Sequence, residues 1–219
     1  MCETKKHWSA WICAGKRIRL PVFVFMLVLT VAAHAQRPRE VFDRAVEDFR
    51  NGRIAESAAG FDNLAALVPS IAPELWQRGI ALYYAGRYKD CRAQFESHRT
   101  VNPNDVENAA WHFLCVARAE SPEKARGAIL PVGPDARVPM RQVYEMFRGK
   151  MTPEDVLASA GTQLSAQFYA RLYLGLYFEA LGNQRLAREH IMAAAADRFA
   201  PAGGYMHMVA KVHLAILRR

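Results

Sequence analysis

Beyond residue 35 the side chains best suited to metal or proton chemistry are five histidines, His98, His112, His190, His207 and His213. The stretch YMHMVAKVH sets Met206 and Met208 beside His207, and thioether with imidazole is a donor set that suits copper. On a helix, however, residues two apart point about 200° apart, so both sulfurs meet one ion only if the helix unwinds. His112 follows Asp105 by seven residues and Glu107 by five, a spacing that could imitate an acid/base pair. A helix cap and solvated first-turn acids account for that pair more simply. The chain holds no HExxH, no GxSxG, no Cys/His nucleophile pair and no phosphate loop. The expectation is no metal, no cofactor and no catalytic site. What remains is recognition, and the residues for it are large aromatics such as Trp76, Tyr83, Trp111, Tyr169 and Tyr173.

The elements that must position these residues are legible as a repeat. Two segments, NGRIAESAAGFDNLAALVP and AGRYKDCRAQFESHRTVNP, align at a shift of 34 residues. Gly86 falls on Gly52, Tyr88 on Ile54, Phe95 on Phe61 and Pro103 on Pro69. A 34-residue period is the tetratricopeptide (TPR) length, one helix-turn-helix per repeat. Glycine suits the turn after helix A. The following aliphatic or aromatic residue and the phenylalanine pack helix B, and proline ends it. Gly79 lies seven residues before Gly86, where helices A and B touch near Cys91 and only a small residue fits; Ala45 holds the same place before Gly52.

A further copy, YLGLYFEALGNQRLAREHIMAAAA, has Gly175 and Gly182 at the same spacing, Ala187 as the small helix-B residue, and Ile191 in place of the phenylalanine. Between them lies a degenerate unit. Its helix A is expected from Val106 to Ala119, and its turn is Glu120-Ser121-Pro122. The predicted fold is therefore all-α: about four repeats at 38–70, 72–104, 105–131 and 165–200, an inserted helix pair, and a C-terminal capping helix. The insert follows the turn-rich PVGPDARVP, and Thr152, Pro153, Glu154 and Asp155 mark the start of its second helix. The last helix is expected from about Tyr205, covering the final apolar face.

In such an array helix A faces a concave groove that takes peptides or helices. The candidates on that face are Trp76, Gln77, Ile80 and Tyr83 in the second repeat and Ala110, Trp111 and Leu114 in the third. In the fourth they are Tyr169, Leu172, Tyr173 and Leu176. Each of these aromatics fits inter-helix packing equally well. The Lys/Asn clamp that grips a C-terminal carboxylate is not present: its positions carry Trp76, Ile80, Gln77 and Glu107.

Three stretches give a more specific likeness. VNPNDVENAAWHFLCVARA, VYEMFRGKMTPEDVLASA and the last repeat with its closing helix resemble the NlpI-type TPR lipoproteins of the bacterial envelope, over roughly residues 101–217. The resemblance implies an adaptor that docks peptidoglycan hydrolases and a periplasmic protease, and that can form a homodimer. The chain departs from the family in having no lipobox cysteine, since Cys2 and Cys13 both precede the apolar run.

Residues 1–35 read as a secretory signal: a basic stretch, the apolar LPVFVFMLVLTVAA, then Ala33-His34-Ala35, with cleavage expected before Gln36. An uncleaved anchor is the alternative. This segment holds five of the 29 Lys and Arg and one of the 21 acids, so residues 36–219 carry a net charge of +4, against +8 for the whole chain. A nucleic-acid partner is not expected, because no Lys/Arg cluster remains. Residues 36–219 are read as one helical repeat domain. Cys91 and Cys115 are its two cysteines; an oxidising compartment permits a disulfide between them, and two buried thiols on packed helices fit as well. The functional expectation is an exported periplasmic or secreted adaptor that binds a protein or peptide segment of an envelope protein. A helical enzyme or small-ligand or metal-binding protein, and a purely structural self-associating envelope protein, are the alternatives.

Overall fold

The computed structural model describes residues 38–218. The segment read as a signal lies outside the described residues. Among the described residues the chain is all-helical with no strand, and none of its helices is long and apolar enough to cross a membrane. Helix α1 spans 38–50, followed by α2 (Ile54–Leu67), α3 (Trp76–Tyr84), α4 (Tyr88–His98), α5 (Val106–Ala119) and α6 (Pro122–Ala128). Then come α7 (Met140–Phe147), α8 (Pro153–Ala160), α9 (Leu164–Ala180), α10 (Gln184–Ala194) and α11 (Ala200–Leu217).

The helix starts have local causes. The Asp105 carboxylate accepts from the Glu107 N–H at 3.0 Å and caps α5. Ser121 caps α6, Asn183 caps α10, and Thr152 with Asp155 forms a capping box at α8, with Pro153 at the first helical position. The tight turns α1–α2, α3–α4 and α9–α10 pass through Gly52, Gly86 and Gly182, each at a φ between 70° and 78°. There a Cβ would clash with the backbone, and glycine is the residue that fits. The segment before α3 departs from the expected helix start. Pro69–Glu74 forms a 3-10 turn, because Pro69 and Pro73 withhold the donors an α-helix needs, and α3 begins only at Trp76.

Consecutive helices pack as hairpins, α3 on α4, α5 on α6 and α9 on α10, and α4 also packs closely on α5. Gly79 faces Phe95, which leaves no room for a side chain: a Cβ there would meet the ring at 2.6 Å. Gly175 meets Ile191 at the same 2.6 Å. The contact at Gly79 is thus with Phe95, one turn beyond Cys91. Cys91 and Cys115 are both buried and are joined as a disulfide that ties α4 to α5, with Cα atoms 5.9 Å apart. The inserted pair is real: Phe147 of α7 packs edge-on to Phe113 of α5 and Tyr177 of α9, at 4.9 and 5.3 Å.

Candidate functional site

The first helices of the hairpins share one face. Phe49 of α1 touches Tyr84 of α3, Tyr83 and Tyr84 touch Trp111 of α5, and the Tyr173 hydroxyl of α9 donates to Glu107 of α5 at 2.6 Å. Across this face lies α11. Its Tyr205 packs on Phe49 and Trp76, and the Arg50 guanidinium reaches the Met208 sulfur. Its His213 sits against Tyr84 and Glu179. The last helix packs on α9 and α10, as a cover for the final apolar face would, and its course goes further. It reaches back to α1 and α3 because its apolar side matches the exposed sides of the helix-A row. Gly204 makes this course feasible: with φ 49° and ψ −125° it breaks the helix one turn in and redirects the rest.

The candidate groove residues divide accordingly. Ile80, Trp111, Leu114, Tyr173 and Leu176 are almost completely buried, as are Ala110 and Leu172, and Tyr83 keeps 5 % of its surface. They form the core between the hairpins. Trp76, Gln77 and Tyr169 are half-buried. Two candidates, Trp76 and Trp111, meet at an opening that α11 leaves uncovered. It is a pocket of about 220 Å³ between α3, α4, α5 and α11. Its walls are Trp76, Phe95 and Trp111, with Met206 of α11 on one side. His98 and Asn108 add polar atoms, and Asp105, Glu107 and Arg137 add charge.

Arg137 comes from the turn-rich segment before α7. It is held by three carboxylates, Asp105 at 2.5 Å and Glu107 and Asp135 at 2.6 Å each. Asp135 in turn accepts from the Val106 N–H. Glu107 is therefore not the solvated first-turn acid its position suggested. Its side chain is only 14 % exposed, and burial, with the neighbouring Asp105 charge, pushes its pKa up to about 6 against the pull of Arg137 and Tyr173. Sequence spacing did not reveal this, because Arg137 and Tyr173 stand 30 and 66 residues away.

His112 also finds a partner other than the acids upstream of it. Its Nε2 lies 3.3 Å from the Glu96 carboxylate of α4, and burial lowers its pKa. His213, like His112, is 1 % exposed. The Tyr84 hydroxyl bonds its Nδ1 at 2.8 Å, and its Nε2 lies 3.4 Å from Glu179, without hydrogen-bond alignment. Burial pulls its pKa down to about 4 and raises that of Glu179, disfavouring the charged form of each. Met206 and Met208 diverge as the helical angle requires, one into the pocket and one to Arg50. No protein-family model matches this chain, and no curated protein is significantly similar to it in sequence.

Proposed function

We propose that the chain is an exported TPR-type adaptor that binds a segment of an envelope protein on the face formed by the first helices of its hairpins. The repeat reading draws support from packing. Gly79–Phe95 and Gly175–Ile191 are the same close contact at the same sixteen-residue spacing, each followed by a glycine turn of the same conformation. The observation that carries the binding reading is the pocket beside α11, where Trp76 and Trp111 converge on an open, aromatic-walled space. The course of α11 adds to it: this face accepts an amphipathic helix from the chain's own end, the kind of element such grooves take from partners.

The test is a crosslinked pull-down from envelope extract with the full chain. A stoichiometric foreign protein, lost on Trp76→Ala, is the expected result. Recovery of the chain alone, crosslinked to itself, replaces the adaptor with the self-associating reading. Export is checked on the same material: the secreted form is expected to begin at Gln36, and retention of Met1 in the membrane fraction defeats it.

A further inference from the structure

The pocket beside α11 holds more acceptors than its own donors satisfy. His98 bonds the Pro73 carbonyl through Nδ1 at 2.8 Å, which makes that nitrogen the N–H donor and leaves Nε2 with a lone pair. Nδ1 is thus turned to Pro73, and His98 is among the residues that line the pocket. His98 is 5 % exposed and its Nε2 has no partner. Asn108 is 3 % exposed and its Oδ1 has no partner either. Buried polar atoms without partners are uncommon, and each costs free energy unless a ligand satisfies it. Among the lining residues, Asp105 and Glu107 flank the guanidinium of Arg137, an excess of one negative charge; Asp135, which also binds Arg137, lies outside the lining. The lining also includes the rings of Trp76, Phe95 and Trp111, of which Trp76 is half-buried and the other two are 1 % exposed and stacked on each other.

Two unpartnered acceptors, aromatic rings and a surplus of negative charge in one lining together suit one class of ligand. We propose that this pocket receives the ammonium or guanidinium of a lysine or arginine side chain from the partner segment. The inference rests on the adaptor reading and names the residue by which the partner is recognised. The stem packs against Met206, and the cation lies against the half-buried Trp76 indole, where attraction to a π-surface is strongest. Its N–H donors are directed to His98 Nε2 and Asn108 Oδ1. Both atoms lie just beneath the accessible surface, so the ligand reaches them by pressing the lining aside; Met206, unbranched and adaptable, is the member that yields. The Trp111 indole N–H, also without a partner, is left to the carbonyl oxygens of the ligand's backbone. A carboxylate-bearing ligand is turned away by the surplus negative charge.

The experiment titrates the full chain with four probes: the N-acetyl methylamides of lysine, arginine, norleucine and glutamate. Binding is read by calorimetry and tryptophan fluorescence. Saturable binding of the lysine and arginine probes, but not of the norleucine or glutamate probes, is expected. Trp76→Ala, with circular dichroism checking that the helical fold is kept, is expected to weaken the cations about five- to tenfold. Equal binding of norleucine or glutamate, or no saturable response to any probe, overturns the proposal. The two readings fail separately. A partner captured from envelope extract that 10-fold excess of the lysine probe over its own Kd does not displace sinks the pocket assignment alone. Probe binding with no partner captured sinks the adaptor alone.

Discussion

Gly79 sits where a Cβ would lie 2.6 and 2.7 Å from two atoms of the Phe95 ring. That ring is 1 % exposed and stacks on Trp111 with centroids 6.4 Å apart, so it yields only by disturbing this stack at the edge of the pocket it lines. Gly79→Leu is expected to destabilise by roughly 1–3 kcal/mol through overpacking. Gly79→Ala gains helix propensity of about 1 kcal/mol, yet its Cβ is already too close to the ring, so alanine too is expected to lower the unfolding midpoint, by less. Urea denaturation of the three proteins checks the order glycine, alanine, leucine; an alanine variant more stable than the parent contradicts the contact. His213 supplies a second residue-scale prediction. Its folded pKa of about 4 lies below the usual 6.5, so the unfolded chain binds the extra proton first. The stability it confers is complete above pH 6.5 and is lost as pH falls toward 4. Glu179 and Glu107, both raised, work in the opposite direction. Comparison with His213→Gln isolates the histidine. Between pH 7 and pH 4.5 the parent is expected to lose more unfolding free energy than the variant; parallel losses sink the assignment.

At the scale of elements, α11 decides how much of the helix-A face is open. It begins against Phe168, where Gly203 allows no Cβ, turns at Gly204, and then runs back past Phe49, Trp76 and Tyr84. A Cβ at Gly204 meets nothing within 4 Å, so a substitution there tests backbone geometry alone. Gly204→Ala is expected to cost about 1–2 kcal/mol and to increase hydrogen exchange selectively in residues 205–217. Unchanged exchange in that helix means that the bend does not direct its docking. The sequence placed a helix from about Tyr205, and the structure agrees on the helix while starting it earlier and breaking it. Two adjacent glycines were the visible sign of that bend, but nothing in their neighbours says which way the chain turns.

For the whole molecule, the disulfide closes a loop of 24 residues between α4 and α5, inside a hairpin array whose units lean on one another. Closing such a loop restricts the unfolded chain by about 3 kcal/mol. Reduction is accordingly expected to lower the thermal midpoint by several degrees without changing the helical circular dichroism at 25 °C. Two titratable thiols in the denatured, unreduced domain from residue 36 onward rule the bridge out. An oxidising compartment is the setting in which such a bond persists, which is consistent with the proposed export.

The amino-acid sequence by itself determined that the chain is helical, where most hairpins turn, and which positions must be small. Those features are local: a cap, a glycine turn and the seven-residue spacing from Gly79 to Gly86 act within one or two helical turns. Val106–Ala119 and the Thr152 start are legible for the same reason. The tertiary structure alone decided that Trp76 and Trp111 share a pocket while Ile80, Leu114, Tyr173 and Leu176 fill the core. It also decided that Arg137 joins Asp105 and Glu107, and that α11 folds back over α1 and α3. An apolar stripe on a helix states only that it must be covered. Which element covers it depends on the superposition of whole hairpins and on one bend at Gly204, and neither has a sequence period to announce it.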